Sequence, residues 1–146
     1  TGIYNVESRV CSDGKAYIME VSPRGGGNRI AELQDMATGQ KLIKNEILKA
    51  LNMPLDHITA PKYDGVWCNY ILHSSHAGIL ETVEIDDSFR QQYIKDEGLI
   101  VKKGDAIHPF TGANTSLGTL FLRAEHRKEL DTIIGSIDDF VKIKLS

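Results

Sequence analysis

A tight reversal of the chain near its start is the feature that most constrains the fold. Asp13-Gly14 lies between residues 3–10 and residues 16–22, two stretches in which apolar and polar side chains alternate. An Asp-Gly pair between alternating stretches is a strong signal for a β-hairpin with a two-residue turn. With the turn centred on this pair, Glu7 lies directly opposite Glu20.

The other face of this predicted hairpin is apolar. Its side chains alternate with the polar ones along both strands, and they are Tyr4, Val6, Val10, Tyr17, Met19 and Val21. An antiparallel sheet commonly packs one apolar face on a core and leaves the polar face to solvent. We therefore expect these six side chains to be buried.

The two glutamates need a compensating charge. Like charges directly opposite each other, with Cβ atoms about 5 Å apart, destabilise a sheet. Arg9, on the same face and diagonal to Glu20, is one source of that charge, in a structural ion-pair cluster. A divalent cation held by both carboxylates is the other, since Mg²⁺ prefers oxygen ligands. Spacing alone leaves both alternatives open, and a turn one residue longer would place Glu7 and Glu20 on opposite faces.

A glycine-rich bend follows the second strand and leads into a predicted helix over residues 29–37. The backbone N–H groups of such a bend and of a helix N-terminus attract anions, phosphate especially. Arg24, at the start of the bend, adds a guanidinium that can donate two parallel hydrogen bonds. Asn28, before the helix, suits the N-cap position. A flexible connection with an exposed arginine explains the same residues, and neither common nucleotide-binding fingerprint is present. The candidate anion-binding residues are Arg24, Gly25, Gly26, Gly27 and Asn28.

Together these segments resemble the last hairpin and following helices of ATP-grasp enzymes. The resemblance is carried by residues 5–7, the Asp13-Gly14 turn, residues 17–24 and residues 37–39, and it covers roughly the first third of the chain. The family includes biotin carboxylase, carbamoyl-phosphate synthetase, D-alanine–D-alanine ligase and the L-amino-acid ligases.

The resemblance implies a site for ATP and for Mg²⁺, which Mn²⁺ can replace. Glu7 matches the first acidic metal ligand of the family, and Glu20 matches the second, which bridges two metal ions. Arg24 matches an arginine that meets phosphate or an acyl-phosphate intermediate, beside the amides of residues 25–28. The family's asparagine two residues after the second acid is Ser22 here. As a metal ligand, a serine hydroxyl is shorter and weaker than an amide oxygen.

By the same resemblance, the parent protein joins a small carboxylate to an amine or similar nucleophile, with ATP and Mg²⁺, through an acyl phosphate. The family's adenine pocket and ATP-contacting lysines lie upstream of this hairpin, and the chain begins at Thr1. We therefore expect the C-terminal portion of a longer ligase, inactive by itself. The alternatives are part of a carbamoyl-phosphate-synthetase-like enzyme and a non-catalytic structural or oligomerisation module.

The rest of the chain predicts an α+β fold in two regions. Residues 1–53 form the C-terminal part of the ATP-grasp domain, a hairpin with two helices, and residues 54–63, with two prolines, form a linker. Residues 64–146 form a mostly antiparallel, strand-rich domain. Its predicted strands cover residues 66–73, 78–85, 99–101, 117–123 and 140–145, and its helices start after residue 88 and cover residues 125–137.

Charge and hydropathy exclude several classes of function. The 146 residues carry a net charge of −3 and no basic block, which argues against a nucleic-acid partner. No apolar run approaches the length of a membrane span, and no signal peptide opens the chain. We expect a cytoplasmic protein in which Cys11 and Cys68 are free thiols. A homodimer is compatible with the sequence. His73 and His76 are not expected to share a metal ion, because no third ligand lies nearby.

Overall fold

An antiparallel hairpin and two helices make up the first unit of the chain, Thr1–Lys62. The structure is a computed structural model that describes residues 2–146. The elements of this unit are β1 (Asn5–Val10), β2 (Ala16–Ser22), α1 (Ile30–Thr38) and α2 (Leu42–Ala50).

The turn between β1 and β2 is one residue longer than the sequence predicts. The Gly14 N–H donates to the Cys11 carbonyl at 2.9 Å, and the Cys11 N–H donates to the Lys15 carbonyl at 3.0 Å. The loop therefore contains Ser12, Asp13 and Gly14. Only Gly14 takes a left-handed conformation, with φ 76°, as in the common hairpin in which a turn is followed by one left-handed residue.

A β-bulge in β2 reverses the effect of the longer turn. Ser8 pairs with Ile18, whereas Glu7 pairs with Glu20, so Met19 has no partner on β1. An extra residue in one strand shifts the alternation of its side chains by one position. Glu7 and Glu20 are therefore direct partners as predicted, although the turn that leads to them is not the predicted one.

The apolar side chains of the hairpin are exposed. The prediction that they pack on a core is wrong for this chain, since their exposed fractions lie between 48% and 70%. The bulge also changes the composition of the two faces. Tyr17 is the cross-strand partner of Arg9 and shares its face, while Ile18 pairs with Ser8 on the other face.

Side-chain amides attach the segment after α2 to that helix. Asn45 is only 6% exposed. Its side-chain oxygen accepts from the Asp56 N–H at 2.8 Å, and its nitrogen donates to the Asp56 carbonyl at 3.3 Å. The side chain of Gln40 likewise accepts from the Thr59 N–H at 3.2 Å and donates to the Thr59 hydroxyl at 3.0 Å. These amides provide hydrogen-bond partners for the backbone of a segment that is in neither a helix nor a strand.

The second unit, Tyr63–Ser146, contains two three-stranded antiparallel sheets. Their strand orders are β3-β7-β5 and β6-β4-β8, which confirms the predicted α+β class with mostly antiparallel pairing. None of the helices within residues 2–146 has the length and apolarity of a membrane-spanning segment. The elements are β3 (Val66–Leu72), β4 (Gly78–Ile85), α3 (Asp87–Tyr93), β5 (Ile94–Leu99), β6 (Ala106–Ile107), β7 (Gly118–Ala124), α4 (Arg127–Gly135), α5 (Ile137–Phe140) and β8 (Val141–Leu145).

The core of this unit centres on β7. Leu120, Phe121 and Leu122 have no exposed surface. Beside them, Phe89 of α3 stacks on Phe140 of α5, with ring centroids 4.8 Å apart. Burial of such side chains contributes most of the stability of a domain of this size.

Replacing Asn45 with alanine should destabilise the first unit, because both backbone groups of Asp56 lose their partner. We expect the free energy of unfolding in urea to fall by about 1–3 kcal/mol, because two hydrogen bonds worth about 0.5–1.5 kcal/mol each are lost. The matched control is Lys44→Ala. It removes only the exposed ion pair between the Lys44 ammonium and the Asp56 carboxylate at 2.7 Å, which is worth less than about 1 kcal/mol. Equal losses in the two variants would contradict the role of Asn45.

Candidate metal and phosphate site

Glu7 of β1 and Glu20 of β2 are direct cross-strand partners. Residues in this position share one face of the hairpin, with Cβ atoms about 5 Å apart. Both side chains are exposed, and neither takes part in an ion pair with any residue of the 2–146 range. The Ser22 hydroxyl donates a hydrogen bond to a carboxylate oxygen of Glu20. Three predicted metal ligands therefore lie together.

Arg9 does not neutralise these carboxylates. Its cross-strand partner is Tyr17, and among the described residues it forms no ion pair. The Tyr17 hydroxyl donates to Asp13 at 2.9 Å. The backbone N–H of Lys15 and this hydroxyl together lower the pKa of the Asp13 carboxyl. The structural ion-pair cluster is therefore not formed, and the acidic face keeps its charge.

The glycine bend lies beside this acidic face. Asn5 pairs with Ser22 and is two residues before Glu7 on the same strand, so it shares the face of the glutamates. A Cβ placed on Gly26 would lie 3.2 Å from Asn5 Oδ1 and 3.3 Å from the Cβ of Ile30. This close approach places the bend next to Asn5, a residue on the face that carries the two glutamates. The sequence does not predict the nearness of Asn5 to Gly26, because no local pattern reports a contact between a loop and a strand.

Helix α1 begins differently from the prediction. Arg29, and not Asn28, occupies the N-cap position, and no side chain caps the helix. Asn28 and Arg29 both take left-handed conformations, with φ 51° and 61°, and Arg29 pairs with Glu32 at 2.5 Å. Non-glycine residues in this conformation carry backbone strain, which is concentrated at functional sites.

Arg24 is exposed at the start of the bend. Its guanidinium donates to the Gly25 carbonyl at 2.9 Å, and it forms no ion pair with the residues that the structure describes. A guanidinium has five N–H donors in a planar fork. Arg24 therefore retains both charge and donors for an anion.

The donor set of the hairpin suits a hard cation. Carboxylate, hydroxyl and amide oxygens are the types of ligand that Mg²⁺ and Mn²⁺ take, and Mg²⁺ is commonly held by one or two carboxylates together with waters and phosphate oxygens. Within residues 2–146 there is no group of three or more His, Cys, Asp or Glu side chains that could hold a metal ion. The hairpin thus supplies two charged ligands, a number that fits Mg²⁺ bound together with a phosphate.

The histidines of the second unit contact their own neighbours in sequence. His73 Nδ1 lies 2.8 Å from the Ile71 carbonyl, and His76 Nδ1 lies 2.9 Å from the Ser75 hydroxyl. His108 lines a cavity of about 230 Å³ in this unit. None of these contacts indicates a metal site.

Comparison with solved structures identifies the fold. The chain is similar to an L-amino acid ligase from Bacillus licheniformis, with a TM-score of 0.82 at 21% identity over 99% of this chain. It is also similar to phosphoribosylglycinamide synthetase from Anaerococcus prevotii, with a TM-score of 0.75 at 18% identity over 98% of this chain. The chain has the fold of ATP-grasp ligases. No protein-family model and no curated protein matches the sequence.

A third ATP-grasp structure was solved with ligands. It is the biotin carboxylase domain of 2-oxoglutarate carboxylase from Hydrogenobacter thermophilus, in complex with MgADP, ADP and bicarbonate. Its TM-score is 0.67 at 16% identity over 96% of this chain. The chain spans 36%, 37% and 31% of the lengths of these three proteins. The resemblance seen in the sequence is thus confirmed for the fold.

The reaction rates of the two free cysteines test whether the hairpin turn is exposed to solvent. Cys11 is exposed beside the hairpin turn, whereas Cys68 lies half-buried in β3, where burial raises the pKa of its thiol. Because the thiolate is the reactive form, Cys11 should react with a disulfide reagent at neutral pH about tenfold faster than Cys68 or more. Stopped-flow absorbance should show two phases, with Cys11→Ser removing the fast one and Cys68→Ser the slow one. A single shared rate would contradict the exposed position of Cys11.

Proposed function

We propose that this chain forms the metal- and phosphate-binding part of a longer cytoplasmic ATP-dependent ligase, of which it is the C-terminal portion. The enzyme would join a small carboxylate to an amine or a related nucleophile. One observation carries the proposal. Glu7 and Glu20 lie directly opposite each other without a compensating charge, on the hairpin of a chain with the fold of ATP-grasp ligases.

The two glutamates would hold Mg²⁺ between them. A bound Mg²⁺ neutralises the negative charge that gathers on a phosphoryl group during its transfer. The Ser22 hydroxyl, through its hydrogen bond to Glu20, fixes the orientation of that carboxylate. Groups that orient metal ligands in this way strengthen binding and tune the site.

Arg24 and the glycine bend would bind the phosphate side of the reaction. Transfer of the terminal phosphoryl group of ATP to the substrate carboxylate gives an acyl phosphate and ADP, and attack by the amine then releases phosphate. The guanidinium of Arg24, which forms no ion pair among the described residues, and the amides of residues 25–28 would supply the donors. Preorganised donors stabilise charge in the transition state more effectively than water does.

A non-catalytic role is the second candidate, and the exposed apolar side chains of the hairpin favour it. In that role the hairpin would serve as a contact surface for another protein or a second copy of the chain. The two candidates differ in one measurable respect. A contact surface does not require the charge of Glu20, whereas a metal site does.

Replacing Glu20 with glutamine in the full-length parent enzyme should abolish Mg²⁺-dependent ATP turnover, because an amide cannot supply the charge that holds the cation. We expect kcat/KM to fall by about 100-fold or more, measured by release of ADP. The control is Glu46→Gln, at an exposed glutamate of α2 in the same unit, which should leave turnover unchanged. Near-normal turnover of the Glu20 variant would rule out this metal site.

Replacing Arg24 with lysine in the same enzyme should impair the interaction with phosphate without changing the binding of the metal ion. Lysine keeps the charge but lacks the planar fork, so we expect kcat to fall by about tenfold while the Mg²⁺ concentration for half-maximal activity stays unchanged. Arg9→Lys is the matched control, since Arg9 is an exposed arginine of the same hairpin without an ion pair among the described residues. A change in Mg²⁺ dependence for Arg24→Lys, with kcat intact, would contradict the assigned role.

A further inference from the structure

The acidic face of the hairpin carries one further oxygen donor, the side chain of Asn5. Asn5 pairs with Ser22, one position along the same face from the Glu7–Glu20 pair. Its side chain is half-buried, and among the described residues its amide makes no hydrogen bond. Its amide oxygen therefore has no protein donor among the described residues and can accept a further interaction.

Ser22, the neutral donor across from it, is already engaged. Its hydroxyl has one hydrogen, which it donates to Glu20. The hydroxyl therefore supports the Glu20 carboxylate. An amide oxygen reaches further from the backbone than a serine hydroxyl and is among the ligand types that hard cations take. Of these two opposite residues, Asn5 is the better placed to contact the cation directly.

Gly26 provides the space that the Asn5 amide occupies. A Cβ at this position would lie 3.2 Å from Asn5 Oδ1 and 3.3 Å from the Cβ of Ile30, which is closer than ordinary van der Waals contact. Any side chain at residue 26 would push against the amide and against helix α1 at once. The absence of a side chain at Gly26 therefore leaves room for the Asn5 amide in its present position.

We propose that Asn5 supplies a third oxygen ligand to the cation held by Glu7 and Glu20. This inference rests on the proposed function, because it requires a cation at that site. A neutral amide completes the set of ligands without adding to the repulsion between the two carboxylates. Asn5 and Ser22 thus have different tasks, Asn5 as a ligand and Ser22 as the residue that orients Glu20.

The test is Mn²⁺ binding to the 146-residue chain, followed by the electron paramagnetic resonance signal of free Mn²⁺, so that neither ATP nor activity is needed. Asn5→Ala should weaken binding by about tenfold, the loss expected when one oxygen ligand is removed. Asn5→Asp should bind at least as tightly as the wild type, because a carboxylate oxygen takes the place of the amide oxygen. Ser8→Ala is the matched control, because the exposed Ser8 lies on the opposite face of the same strand, and it should leave the affinity unchanged.

A second variant tests the position of the amide. Gly26→Ala leaves every proposed ligand in the chain but crowds Asn5, so it should weaken Mn²⁺ binding as Asn5→Ala does. Unchanged far-ultraviolet circular dichroism will show that each variant is folded. If either alanine variant loses structure, Asn5→Asp decides, because weaker binding than the wild type in this variant would contradict a ligand at residue 5.

The outcomes separate the two proposals. Wild-type affinity in Asn5→Ala, together with lost binding in Glu20→Gln, would overturn the role of Asn5 and leave the metal site of the proposed function intact. An absence of Mn²⁺ binding to the wild-type chain would overturn the role of Asn5, whereas the metal site of the proposed function is decided by the turnover of the Glu20→Gln variant of the full-length enzyme. Equal losses in Asn5→Ala and Ser8→Ala would show a general effect of changing the strand and would contradict the role of Asn5 as a ligand.

Discussion

The repulsion between Glu7 and Glu20 is the constraint on which the site depends. Opposed like charges are unfavourable in a sheet, and packing does not offset them here because the hairpin is exposed on both faces. Exposure itself makes the pairing tolerable, since water screens the two charges. The carboxylates can therefore stay together in the absence of a cation, and a cation that arrives gains the attraction of both. A fold that holds its ligands together beforehand loses less affinity to ordering on binding.

The sequence predicted this pair correctly only because two deviations from the predicted hairpin cancel each other. The turn contains one residue more than Asp13-Gly14 indicates, and that alone would have moved Glu20 to the other face. The bulge at Met19 moves it back. Ile18 and Met19 are both apolar, so alternation of side chains could not show which of them lacks a partner. The consequence that the sequence did miss is the position of Tyr17, which shares the face of Arg9.

In the second unit, side-chain alternation predicted β4 and β7 and missed β5, whose half-buried face is not a run of apolar residues. Residues 78–85 agree with β4, and residues 117–123 agree with β7 within one position. Strand β5 contains Lys95, Asp96 and Glu97 and has no apolar alternation. It forms because the fully buried β7 needs a hydrogen-bonded neighbour on each side. This requirement comes from the neighbouring strand β7, so the sequence of β5 itself contains no pattern that indicates it.

Prediction from sequence meets the same limit in the candidate site. Its charged residues could be recognised, but one of its packing contacts could not. The glutamates and the arginine are recognisable in sequence because their chemistry requires particular residue types at fixed spacing. The nearness of Gly26 to Asn5 depends on how the bend folds back on β1, and glycine is unremarkable within a run of three. Two-stranded hairpins are only marginally stable by themselves, so contacts with neighbouring segments matter for this one. The approach of Gly26 to Asn5 and to Ile30 is a contact that links the bend to the acidic face. This explains why a change at Gly26, a residue with no chemical group to offer, is expected to act on the cation site.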